Sequence, residues 1–171
     1  MPVKTAKDVF VQLLSEVLQG TQRTTKILQE VSDAAQTPEI KQALEARVFV
    51  SEKVHETLEH CFRLIGEQPV KTSGQYYDMF IENFRKNLAE IQQPQARRFF
   101  ILAKANEVVP FRMAQYEALI AAADISNHYA VAVLLESCLA DKLALVQRTR
   151  QLIRKVIETK MADKVAAAAA A

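Results

Sequence analysis

The sequence predicts an all-α protein: a bundle of four long helices, with one shorter helix in the connection between two helical hairpins. Three observations lead there. The 171 residues include only 3 Gly and 5 Pro, too few turn formers for many short elements. Ala, Leu, Gln, Glu, Lys and Arg are abundant, and all are good helix formers. Apolar residues recur at steps of three and four over long stretches, the period of an amphipathic helix, and no alternating strand pattern competes.

Thr5 can cap the first helix, with Asp8 three residues later in place of the Glu of a capping box. Phe10, Leu13, Leu14, Val17, Leu18, Ile27, Leu28 and Val31 mark one face of a helix expected over about residues 5–34, with Gly20 weakening its middle. Thr37 and Pro38 suit the N-cap and first position of a second helix, which carries Ile40, Leu44, Val48, Val54, Leu58 and Cys61 and stops at Gly66. A short connection makes these two an antiparallel hairpin. Residues 67–74 read as a link, and Ser73 can start a shorter helix over about 74–91 with Tyr77, Phe80, Ile81, Phe84 and Leu88 on one side. Pro94 opens the third long helix, where Pro110 is expected to cause a kink. A break near 124–127 precedes the last helix, expected over about 128–162. A hairpin, a crossover and a second hairpin form the ferritin-like connectivity.

This length suits one domain with a sizeable core, expected over residues 1–165, with the alanines 166–171 set aside as a non-functional tail. A formal net charge of +2, from 22 basic and 20 acidic residues, is too balanced for an electrostatic nucleic-acid binder. The densest basic cluster, Arg148, Arg150, Arg154 and Lys155, is followed by Glu158 and reads as a solvated helix face. Cys61 and Cys138 lie among apolar residues and outside any Cys-x-x-Cys pair, which favours buried reduced thiols over a disulfide. Asp8 interrupts the early apolar residues, so no signal-peptide pattern is present. No apolar run approaches the ~18 residues of a membrane span. A cytoplasmic protein is the expectation.

The segments Lys4-Thr5-Ala6-Lys7-Asp8-Val9-Phe10 and Leu13-Leu14-Ser15-Glu16 resemble the start of the bacterial YciE/YciF family. The likeness continues through Lys26-Ile27-Leu28 and from Ser51 to Leu58, and returns in Met113-Ala114-Gln115-Tyr116 and Leu134-Leu135. The resemblance implies a ferritin-like bundle that commonly dimerises, has no settled biochemical function and is associated with stress responses. Many such proteins look like di-iron carboxylate proteins. Two close cations need several carboxylates, often with histidines, converging from all four helices. Here the family's ligand positions fall on Thr21, on Val50 with Val54 one turn on, on Val109-Pro110-Phe111-Arg112, and on Ala140-Asp141-Lys142. Only Asp141 keeps an acid. Helical spacing agrees, since Val17, Thr21, Thr24 and Leu28 follow one seam and Val50, Val54, Leu58 and Cys61 another. A degenerate metal site is therefore expected, with an Arg112–Asp141 ion pair in its place; the alternative is Arg112 reaching solvent along its stem.

Glu52 and His55 match Glu-x-x-His, the spacing that sets two ligands on one helical face, but Val54 on the apolar seam places them off it. Glu59 with His55 also matches a surface zinc spacing that occurs often by chance. His128 reads as a polar helix-end residue, and no local motif supplies a nucleophile with its base. The aromatic stripe Tyr76, Tyr77, Phe80 and Phe84 reads as core packing, with a subunit contact as the alternative. These residues point to a non-catalytic structural or interaction protein without catalytic, metal or cofactor residues, with a role in stress physiology and a homodimeric state as the resemblance implies. The competing reading is an iron-handling protein or di-iron oxidoreductase using Glu16, Glu52, His55 and Glu107. A third is a small-molecule binder in a cavity bounded by Thr21, Val50, Val109 and Asp141.

Overall fold

The computed structural model describes residues 5–169, leaving aside the side chains of residues 108, 109, 156, 157 and 159–169. Five helices follow in order: α1 (Ala6–Asp33), α2 (Pro38–Ile65), α3 (Gln75–Glu90), α4 (Pro94–Ile125) and α5 (Tyr129–Ala169). No strand occurs among the described residues. The final alanines to Ala169 continue α5 as backbone, and the remaining two lie outside the described residues.

The ends follow local chemistry. Thr5 and Asp8 close the expected capping box: the Asp8 amide donates to Thr5 Oγ1 at 3.1 Å and the Thr5 amide to Asp8 Oδ2 at 2.9 Å. Thr37 holds the N-cap position of α2, but its side chain makes no cap bond there, and Pro38 sets the first turn instead. Gly66 ends α2 at φ 69°, letting the Glu67 amide return to the Phe62 carbonyl at 3.2 Å. Ser73 does not start α3. Gly74 does so at φ 61°, and a Cβ there would overlap the Arg23 guanidinium, which donates to the Ser73 carbonyl at 3.1 Å. α4 runs through Pro110. His128 is the helix-end residue expected, its carbonyl accepting from the amides of Val131 and Ala132.

α1 pairs with α2 and α4 with α5, and the hairpins meet through α1 with α4 and α2 with α5. Two apolar clusters fill the interior. One gathers Phe10, Leu14, Val17, Leu58, Tyr116, Leu119 and Leu135. The other gathers Ile27, Val31, Leu44, Ile101 and Leu102 with Tyr77, Phe80, Phe84 and Leu88 of α3. The α3 stripe is thus core packing, apart from the more exposed Tyr76, whose ring lies 4.7 Å from that of Phe111. Cys61 and Cys138 are buried and free.

The link before α3 is strapped to α1. Gln19 donates to the Val70 carbonyl at 2.6 Å and accepts from the Thr72 amide and hydroxyl, while Ser15 Oγ accepts from the Val70 amide at 3.0 Å. This strap places Tyr77 over Gly20, where a Cβ would lie 2.5 Å from Arg112 Nη1 and 2.7 Å from the Tyr77 hydroxyl. Gly20 is therefore retained for close approach. Ala favours a helix over Gly by about 1 kcal/mol, yet Gly20→Ala should destabilise the protein by roughly 1–3 kcal/mol through overpacking, measured by urea unfolding.

Candidate functional site

Where α1, α3 and α4 meet, Arg112 is buried, with 3% of its surface exposed. Its Nη2 donates to the Val17 carbonyl at 3.0 Å and to the Thr21 hydroxyl at 2.5 Å. Its Nη1 donates to the Tyr77 hydroxyl at 3.1 Å and to Gln115 Oε1 at 2.8 Å. Nε has no partner. Thr21 Oγ1 can accept because its own proton goes to the Val17 carbonyl at 2.8 Å. Every partner is neutral. The guanidinium also lies 5.6 Å from the ring of Tyr116, a buried residue whose hydroxyl burial holds in its protonated form.

The expected Arg112–Asp141 pair is not formed. Arg112 does face inward, but Asp141 is exposed, and its neighbour Lys142 turns into the bundle with its ammonium 5.3 Å from the Tyr116 ring. Successive helical residues are about 100° apart, so one of the two must leave the seam. Leu135, Cys138, Val146 and Thr149 are buried on α5, and Lys142 shares their register. Burial, followed by the charge of Arg112, pushes the Lys142 ammonium down to about 7.

Arg47 of α2 was not singled out from the sequence, although it falls in register between Leu44 and Ser51. It is 7% exposed, and its Nη1 donates to the Ala105 carbonyl at 3.0 Å and the Thr149 hydroxyl at 3.2 Å. Burial pushes its guanidinium down to about 10. Arg47, Arg112 and Lys142 line one cavity of about 50 Å³.

Of the positions aligned with metal ligands, Thr21 and Val54 are buried and Val50 is half-buried at the cavity wall, while the side chain of Val109 lies outside the described residues. The displaced ligands are not brought together. Glu16 is half-buried on α1, bonded by Gln12 at 3.2 Å; Glu52 is exposed on α2. His55 sits 3.9 Å from Glu59, and Glu107 is exposed and paired with Lys104 at 2.5 Å. Among the described residues, no three or more His, Cys, Asp or Glu are grouped as metal ligands would be. A wider cleft of about 930 Å³ lies between α1 and the strapped link, with Lys7 and Glu67 paired at its rim. No helix among the described residues is long and apolar enough to cross a membrane.

Two outcomes test this arrangement. Arg112→Ala removes charge-assisted bonds and leaves a void, so it should cost about 2–4 kcal/mol in urea unfolding. Lys142 carries a folded pKa below its unfolded one. Between the two values the unfolded chain holds more protons, so stability rises with pH. From pH 7 to 9 the gain should be on the order of 2 kcal/mol, and Lys142→Met should remove that slope.

The family profile described as Domain of unknown function (DUF892) matches residues 5–162. No curated protein matches the chain. Among solved structures, the E. coli stress protein YciF is similar, with a TM-score of 0.84 at 20% identity over 91% of this chain and 98% of its own. YcfI from Rhodopseudomonas palustris, provisionally described as a structural protein, has a TM-score of 0.81 at 23% identity, covering 86% of this chain and 94% of its own. A protein from Xanthomonas campestris pv. campestris has a TM-score of 0.69 at 15% identity over 92% and 99%. The chain, an all-α bundle of ferritin-like fold and YciE/YciF type, belongs to the DUF892 family.

Proposed function

We propose that this protein is a non-catalytic structural or interaction module, cytoplasmic and homodimeric, whose bundle lacks the two-metal chemistry of ferritin-like enzymes. The observation that carries this reading is the charge of the bundle centre. Arg47, Arg112 and Lys142 converge on the cavity, and among the described residues no carboxylate lines it. Two unit charges 4 Å apart repel by about 4 kcal/mol at an effective dielectric of 20, and a divalent ion doubles that. A metal ion placed there would meet cations where it needs ligands.

Other groups support the same reading. Burial pushes Cys61 up to about 12 and also raises Cys138, so neither thiol is poised as a nucleophile. The stress and structural descriptions of the two bacterial relatives favour a non-enzymatic role in stress physiology. For the homodimer, support comes from the outer face of α5, where Tyr129 and Val133, one turn apart, are 61% and 63% exposed. Exposed Ala140 and Ala144 extend that face, with Glu136 at its edge, a largely uncharged stripe suited to a second copy of the helix. The balanced net charge argues against nucleic acid as a partner, and residues 1–165 are taken to act as one domain.

Native mass spectrometry after anaerobic incubation with ferrous iron and desalting tests both parts. The expected species is a dimer carrying no iron above trace. About two irons per chain would restore the oxidoreductase reading, and a monomer at every concentration would remove the dimer.

A further inference from the structure

Around the central cavity of about 50 Å³ stand Thr24 of α1, Arg47 and Ser51 of α2, Lys104 and Arg112 of α4, and Lys142 of α5. Among the described residues no Asp or Glu lines it. Lys104 is answered by Glu107 at 2.5 Å, and Asp141, the acid adjoining Lys142, is exposed. Three cations therefore share a void without a counter-charge. Burying like charges together is costly unless something negative joins them.

Hydrogen-bond donors are also in surplus. Arg112 Nε is buried without a partner. Arg47 donates through Nη1 alone. Lys142 makes no hydrogen bond among the described residues and rests on the Tyr116 ring. The Thr24 hydroxyl gives its proton to the Gly20 carbonyl, and Ser51 Oγ shares a proton with Thr25 Oγ1; both oxygens can still accept, but neither carries a negative charge. Ammonium and guanidinium groups donate but never accept, so the missing partner is an acceptor, and an anion answers the charge as well, which water does not.

We propose that this cavity binds one small monoanion, a carboxylate or similar oxyanion, held by Arg47, Arg112 and Lys142. Volume narrows the class. A water needs roughly 10–15 Å³ of such space, so the cavity of about 50 Å³ holds roughly three to five water-sized groups, room for formate or nitrate. Sulfate and phosphate, tetrahedral and with five heavy atoms, would stand at its limit. A planar anion suits the guanidinium fork, and the ammonium acts as a point charge. The site shares its cationic lining with the non-catalytic reading but requires a ligand that reading does not, so iron loading and anion binding succeed or fail separately.

The groups facing Lys142 set the pH response. These are Arg112, Lys104 and the Tyr116 ring from α4, Arg47 from α2, and Cys138 and Asp141 on α5; α1 offers the neutral Thr24. Burial and the neighbouring protein charges push the ammonium down to about 7, and a bound anion favours its charged form. Binding should therefore weaken as pH rises above 7.

Isothermal titration of the full chain with formate, at constant ionic strength and pH 6.5, tests the site, with sulfate as the control for general salt effects. Saturable uptake of one formate per chain is expected, at least about tenfold weaker at pH 9 and in Lys142→Met, which keeps the side-chain length and sheds the charge of this half-buried residue. Circular dichroism checks that the variant is folded, and the wild-type pH comparison repeats the test without any substitution. Absence of saturable formate binding, equal binding of sulfate, or wild-type affinity in folded Lys142→Met would each overturn the proposal.

Discussion

Arg112 carries a full charge into the junction of α1, α3 and α4, and the surrounding residues are arranged to receive it. A buried guanidinium needs acceptors on several sides, because each unmet donor keeps a desolvation cost. The Val17 carbonyl, Thr21, Tyr77 and Gln115 supply them from three helices. No surface position would make these demands. Thr21 must present a hydroxyl, Tyr77 must reach across from the crossover helix, and Gly20 must leave room for both.

The crossover acquires its order from the same requirement. α3 is short and could not stand alone in water. It is held by the bonds from Ser15, Gln19 and Arg23 to the link before it, and by the burial of Tyr77, Phe80, Phe84 and Leu88 against the bundle. Tyr77 belongs to both systems: its ring joins the apolar cluster and its hydroxyl touches Arg112. The hairpins, the link and the polar centre are thus coupled through a few side chains, so a change at one should be felt at the others.

Ferritin-like bundles use inward carboxylates to collect cations. Here the charge of the interior has the opposite sign. Valine and threonine at the ligand positions would by themselves leave a dry, neutral core. Arg47, Arg112 and Lys142 instead line the central cavity with positive charge. Lys142 is the most sensitive of the three, because it lacks hydrogen-bond acceptors and its charge is the most easily given up.

The sequence by itself determined the helices and most of the seam. Apolar period and terminal chemistry placed the four long helices within a few residues, apart from the end of α5, expected near 162 and found at Ala169, because both are local properties of the chain. The inward placement of Thr21, Val54 and Leu58 followed from the same spacing. What tertiary structure decided was rotation and partnership. Asp141 and Lys142 lie side by side in sequence, and the family resemblance points to the acid as the partner of Arg112. The packing of Cys138, Val146 and Thr149 turned Lys142 inward instead. Arg47 lay in register with Leu44 and Ser51, but a charged residue on an apolar seam is ambiguous until the facing helices show whether its head reaches water. Gly20 could be read only as a weak point in α1, since the groups that need its missing Cβ come from helices far along the chain.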